Sequence, residues 1–229
     1  MKLTKSCPVC GGNEFSHNDI LWPELVSEWE LLPHEVDYIN RQQGLSCSAC
    51  GNNLRSMALA DSILKRYRFD STLIDFVHSD IAYSLKLLEI NKAGALSPVL
   101  TKIPGHVFIK YPEYDMTKLP FNQESFDIVL HSDTLEHVED PIAGLAECKR
   151  VLNSSGVCIY TVPIIVGRLT RSRKGLKPSF HGSNEKNESD QMVYTEFGAD
   201  AWQWPISAGF TSATIHSFEY PAAIAVIAE

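Results

Sequence analysis

The segment from "FDIVLH" (126–131) through "VEDPIAGLAECKRVLNSSG" to "VCIYTVP" (157–163) limits the fold of this chain most strongly. Two apolar runs without alternation are what strands covered on both faces look like. Between them lies a helix with its own punctuation. Asp140 is placed to cap it, Pro141 suits its first turn, and Ile142, Leu145, Ala146 and Leu152 mark an apolar face. Gly156 then starts the next strand. A strand, a helix and a short return make a right-handed crossover, which requires parallel strands in one sheet. "LKLLEI" (85–90) and "HVFIK" (106–110) read as two more buried strands. The C-terminal runs "FTSATIHSF" (210–218) and "PAAIAVIAE" (221–229) are parted only by Glu219 and Tyr220. That gap is too short for a crossover, so the two should be antiparallel neighbours. The expected fold is α/β, with a mostly parallel sheet ending in an antiparallel hairpin.

The cysteines add a second element. "CPVCGG" (Cys7, Cys10) and "CSACGN" (Cys47, Cys50) are each Cys-x-x-Cys followed by glycine. This spacing lets two thiolates face one metal, and two such knuckles supply the four sulfurs of a closed tetrahedral zinc site. A closed site has no open position for chemistry, so the metal is expected to be structural. Disulfides and a redox pair are the competing readings. The insertion between the knuckles reads as one or two helices, with Leu32, Val36 and Ile39 at helical spacing. "LRSMALADSILKRY" (54–67) reads as a helix. "STLIDFVHSDIAYS" reads as a second short helix, with a strand over Leu73–Val77 as the alternative. Cys148 and Cys158 fall in the helix and strand of the crossover and read as core thiols. The resulting domains are a zinc-binding module (1–54), a helical linker (55–84) and an α/β domain (85–229).

In an open α/β sheet, ligands bind beyond the carboxyl ends of the strands. Glu89 and Gly94 follow the first run, Glu113 and Asp115 the second, and His131, Asp133, Glu136 and His137 the third. Carboxylates there suit hydroxyl and amine donors but not a phosphate. No glycine-rich phosphate-binding loop follows any strand. A nucleoside cofactor without phosphates is therefore favoured over NAD or ATP. The net charge of −8 argues against a general nucleic-acid binder. Yet Cys148 to Asn184 has no acid, while Lys149, Arg150, Arg168, Arg171, Arg173, Lys174 and Lys177 all lie there. This stretch is either a solvated basic loop or a cover over a site for an anionic substrate. No apolar run is long enough to span a membrane, and "MKLTKSCPVCGG" has no apolar core behind its basic residues. A cytoplasmic location is the default.

The words "DMTKLPFNQESFDIVLHSDTLEHVEDP" and "RVLNSSG", in this order and spacing from Asp115 to Pro163, resemble class I S-adenosylmethionine-dependent methyltransferases. "EFGADAW…AGF" (196–210) agrees with the later part of such a domain. The resemblance implies a Rossmann-like sheet with an antiparallel end, S-adenosylmethionine as cofactor, and methyl transfer. Carried over by position, Glu89, Asn91 and Gly94 meet the methionine part of the cofactor, Glu113 the ribose, Asp115 and Met116 the adenine, and His131 and Ser132 line it further. Two departures stand out. The glycines of the first motif are reduced to Gly94, with Asn91 and Ala93 in place of others. The segment before "LPF" also leaves no room for the family's third strand, so either that edge is trimmed or Glu113 is not the ribose acid.

His137, Asp133 and His181 are the candidate bases, with an ordering role for His137 as the alternative. Asp133, Glu136 and His137 could instead hold a divalent ion. Trp202, Trp204 and Tyr194 are candidates for an acceptor pocket or for the core. The reading that results is methyl transfer to a small acceptor, anionic or nucleotide-linked such as an activated sugar. The oligomeric state is left open. The alternatives are a protein or RNA methyltransferase, and a zinc-containing binding module whose methyltransferase-like domain is inactive.

Overall fold

The computed structural model describes residues 6–180 and 191–229. The chain divides into two compact bodies. One comprises Met1–Leu85, Ala93–His106 and His216–Ala225, and the other Lys86–Lys92, Val107–Ile215 and Val226–Glu229. Among the described residues, no helix is long and apolar enough to cross a membrane.

The first body holds strands β1 (Phe15–His17) and β2 (Leu45–Cys47), paired antiparallel with Phe15 opposite Cys47. Its helices are α1 (Pro23–Glu28), α2 (Pro33–Gly44), α3 (Leu54–Arg66), α4 (Leu73–Phe76), α5 (Asp80–Ser84) and α6 (Ser97–Leu100). The insertion between the knuckles thus forms two helices, each with a proline in its first turn. Their expected apolar stripe is not the buried one. Leu32 is exposed, Val36 and Ile39 are half-buried, and Glu35, Tyr38, Asn40 and Gln42 face inward. The cause is backbone donors that need acceptors. Asn40 Oδ1 accepts the amides of Ile20 and Leu21 at 2.9 Å each, and Glu35 accepts that of Leu32 at 2.8 Å. The stretch over 71–84 is two short helices and contains no strand, because Thr72 and Ser79 each cap one. Helix α3 buries Leu54, Met57, Leu59 and Ile63 completely. It also presents Asp61, which accepts from His216 Nε2 at 2.7 Å and pairs with Lys65 at 3.1 Å.

The remaining strands are β3 (Lys86–Ile90), β4 (Gly105–Ile109), β5 (Phe126–Ser132), β6 (Leu152–Thr161), β7 (Ile164–Ile165), β8 (Arg171–Ser172), β9 (Thr195–Gly198), β10 (Ala213–Glu219) and β11 (Ala223–Ala228). Six form one sheet in the order β10-β11-β6-β5-β3-β4, and a small sheet has the order β7-β9-β8. β3 runs parallel to β5, with Ile90 opposite His131, and β5 parallel to β6, with His131 opposite Tyr160. β11 pairs antiparallel with β6, with Val226 opposite Tyr160. β4 is an edge strand, and residues 110–125 contain no strand, so the sheet is trimmed on that side.

The parallel step from β5 to β6 is made by α7 (Pro141–Val151). Asp140 caps it, accepting the Ala143 amide at 3.0 Å. The apolar face differs from expectation: Ile142 and Ala146 are exposed, while Pro141, Gly144, Leu145, Cys148 and Val151 are buried. At 3.6 residues per turn a helix begun at Pro141 turns that set, not Ile142 and Ala146, toward one side. A last helix, α8 (Gln203–Ser207), follows β9. Because the Asp140 cap is exposed and satisfies one amide, Asp140→Ala should destabilise the chain by about 1 kcal/mol, read from urea unfolding, whereas Asp140→Asn should cost only a fraction of that.

Candidate functional site

In the first body the four expected cysteines converge. Each knuckle closes the same way: the Gly11 amide donates to Cys7 O and the Gly51 amide to Cys47 O, both at 2.8 Å. Gly11 (φ +78°) and Gly51 (φ +71°) take the left-handed turn that a side chain would strain. The Sγ atoms of Cys7, Cys10, Cys47 and Cys50 all lie within 4.8 Å of one another. Cys7 and Cys50 are 3.7 Å apart, and Cys10 and Cys47 3.6 Å. Four sulfurs about 2.3 Å from a tetrahedral zinc stand about 3.8 Å apart, so the donor set fits that ion. Burial pushes the Cys7 thiol well above its usual range and Cys10 up to about 11, and neighbouring sulfurs add to both shifts. Cys50 is partly buried too, but hydrogen bonds from Asn52 draw it below its usual value. Thiols crowded in this way ionise together only around a cation.

In the second body the candidate cofactor and base residues come from strand ends. Glu89 is fully buried in β3. Asn91 follows it at φ +57°, in the left-handed region that glycine occupies freely and asparagine tolerates. Its amide donates to Ile109 O at 2.9 Å. Its side chain accepts the Tyr111 amide at 2.9 Å and donates to Thr134 Oγ1 at 3.3 Å. One side chain thus ties the end of β3 to the segments following β4 and β5. Gly94, in the other body, also has a left-handed φ of +60°.

Glu113 and Asp115 are exposed, and Asp115 accepts from the amide and hydroxyl of Thr117, each at 2.8 Å. Met116 is buried and packs near Gly144 of α7. Ser132 is buried and shares a hydrogen bond with Thr161 Oγ1 at 3.1 Å. His131 departs from its expected place. Its ring has no exposed surface and stacks on Tyr160, with centroids 4.7 Å apart.

Asp133 sits just beyond β5 at φ +43°, half-buried, and accepts from Thr161 Oγ1 at 3.1 Å. His137 Nδ1 lies 3.1 Å from Met192 O and Nε2 3.7 Å from Glu136 Oε1. Through Nδ1 this ring ties its turn to the 192–194 segment, where the Tyr194 amide donates to Glu136 O at 2.8 Å. His181 lies outside the described residues. Trp202 is exposed, and Trp204 packs edge-on against Phe197 at 5.5 Å.

The basic stretch is partly engaged. Arg150 pairs with Glu147 and donates to Leu119 O and Phe121 O at 3.0 and 2.8 Å. Glu196, in β9, receives Arg171 at 2.5 Å and also the buried Arg173. Nothing local in "TEFG" announces that partnership, which two antiparallel strands create. Gly198 lets the 168–170 backbone pass close by, since a Cβ there would collide with Arg168 O. A depression of about 120 Å³ is lined by Ile165, Arg168, Leu169, Arg171, Glu196 and Phe197.

The Asn91 geometry sets an order among substitutions. Asn91→Ala loses both side-chain hydrogen bonds and keeps a strained φ, while Asn91→Gly loses the bonds and relieves the strain. Unfolding should place Ala below Gly in stability by about 1 kcal/mol, with both below the parent. Equal stabilities for Ala and Gly would show that the left-handed turn is not maintained.

Residues 48–160 match the methyltransferase domain family. A demethylmenaquinone methyltransferase of Mycobacterium sp. (strain KMS) is 33% identical over 98 residues, 42% of this chain and 43% of that protein. A demethylmenaquinone methyltransferase of Clavibacter sepedonicus is 30% identical over 132 residues, 52% of this chain and 54% of that protein. The matched stretch thus spans about half of these relatives or less. Among solved structures, a SAM-dependent methyltransferase from Aquifex aeolicus aligns with 75% of this chain and 89% of its own, at 12% identity and a TM-score of 0.42. Over residues 48–160 this chain is therefore similar to methyltransferase domains.

Proposed function

We propose that this chain is an S-adenosylmethionine-dependent methyltransferase for a small acceptor, with a structural zinc in its four-cysteine cluster. The observation that carries the reading is the gathering of Glu89, Asn91, Asp133 and Thr134 at the carboxyl ends of the parallel neighbours β3 and β5. That edge is where an open α/β sheet binds its ligand. Glu89 serves the amino-acid end of the cofactor, Glu113 the ribose, and Asp115 with Met116 the adenine. Ser132 lines the site after β5, while Asn91 shapes the turn after β3. The His131 ring is withdrawn from this set because it is buried against Tyr160.

Bound there, S-adenosylmethionine supplies an electrophilic methyl group on a sulfonium. The chain aligns the acceptor in line with that group and, for an oxygen or carbon nucleophile, removes a proton. Asp133, half-buried beyond β5, is the best placed base. His137, whose Nδ1 is held against Met192 O, suits ordering of the loop. Arg168, Arg171, Arg173, Lys174 and Lys177 fall in a run of sequence without an acid. That excess supports an anionic acceptor. A quinone-type acceptor is the second reading, suggested by the names of the relatives.

A thermal-shift titration tests the enzyme reading. S-adenosylhomocysteine at a hundred times its Kd should stabilise the chain by about 2.7 kcal/mol. Glu89→Gln, nearly isosteric, should weaken that binding by about tenfold, or about 1.4 kcal/mol. No shift with either S-adenosylmethionine or S-adenosylhomocysteine would leave the inactive binding module as the better account.

For the metal, Cys47→Ser/Cys50→Ser should lower the zinc content by about one ion per chain and reduce the melting temperature. Protons compete for the thiolates, so the parent should lose this ion as pH falls. Unchanged zinc in the double variant would remove the assignment.

A further inference from the structure

The second body holds a cluster of ligating side chains that the strand-end site does not use. His131 and Tyr160 are direct partners in the parallel β5–β6 ladder, so their side chains rise from one face of the sheet. Cys158 lies two residues before Tyr160 on the same strand and points the same way. Cys148 comes from α7, on its buried side. All four residues are 0% exposed. A His131 ring nitrogen and the sulfurs of Cys148 and Cys158 lie within 4.8 Å of one another. No hydrogen bond of ordinary geometry reaches either His131 nitrogen or the Tyr160 hydroxyl, and the His131 ring interacts instead with the Cys158 sulfur. A buried polar group left unsatisfied costs roughly 1–3 kcal/mol, and three such atoms here adjoin two thiols.

We propose that His131, Cys148 and Cys158 form a second metal site, buried in the core, for a thiophilic divalent cation of the zinc class. The donors are soft sulfur and imidazole nitrogen, which select such an ion over magnesium or calcium. Two thiolates neutralise a dication, so the loaded site brings no net charge into the core and avoids most of the penalty for burying an ion. Zinc sits about 2.3 Å from sulfur and about 2.0–2.1 Å from nitrogen. Donors already within 4.8 Å of one another come within that reach by side-chain adjustment. These three donors make up the site that the structure brings together. The ion pins α7 to β5 and β6 and holds the His131 ring, and the burial of all three donors keeps substrate from it.

Zinc content of the purified full-length chain tests this. The parent should carry about two ions, and the variants Cys148→Ala/Cys158→Ala and Cys7→Ser/Cys10→Ser about one each. A parent with about one ion, unchanged in Cys148→Ala/Cys158→Ala, would overturn the proposal and leave the core thiols as packing. An ion lost from Cys148→Ala/Cys158→Ala but kept in Cys7→Ser/Cys10→Ser would sustain it while removing the four-cysteine assignment. Should the alanine variant fail to fold, His131→Phe retains the ring and both thiols. Cobalt-loaded His131→Phe should hold about half the parent's cobalt and lose one set of visible bands. A spectrum and stoichiometry equal to the parent's would overturn the site.

Discussion

Parallel pairing of β3, β5 and β6 is the constraint on which the candidate site depends. Parallel strands bring their carboxyl ends to one edge, and the crossover through α7 leaves the next loop starting from that edge. Glu89, Asn91, Asp133 and Thr134 are separated in sequence, yet they gather there because each follows or ends such a strand. The same ladder sets His131 beside Tyr160, on the covered face. One register therefore decides both which groups reach the site and which are lost to the core.

Polar groups placed inside this chain are largely those that answer a backbone need. Asn40 and Glu35 face inward because nearby amides lack other acceptors. Arg150 holds the carbonyls of Leu119 and Phe121, which orders the stretch after Asp115 and Met116. Asn91 works similarly at the site itself, where a left-handed residue that also carries an amide replaces an open glycine turn. The His131 cluster departs from this pattern, since its polar atoms answer no backbone group.

Much of the architecture was legible because its signals are local. The Asp140–Pro141 start of α7, the apolar strands and the two Cys-x-x-Cys-Gly turns each depend on a few adjacent residues and appear in the expected order, although β4, read as buried, exposes Val107 and Phe108 at the sheet edge, and β6 begins at Leu152, ahead of Gly156. The buried faces of α2 and α7 were less legible. Hydrophobicity alone chose Leu32 and Ile142, while the packed faces follow from helix phase and from hydrogen bonds to distant loops. The partnership of Glu196 with Arg171 and Arg173 had no local signal at all, because it arises where β8 and β9 pair.

Sequence by itself determined the α/β class, the crossover, the antiparallel end and the spacing that lets four thiols meet. These follow from periodicity, caps and short-range chain geometry, which any compact state of the chain must respect. Tertiary structure alone decided that His131 turns into the core, that Glu196 divides its charge between two arginines and that Asn91 braces three strand ends. Those outcomes depend on register and on which side of a sheet a helix covers. Such facts come from contacts between residues far apart in the chain, and no stretch of sequence carries them alone.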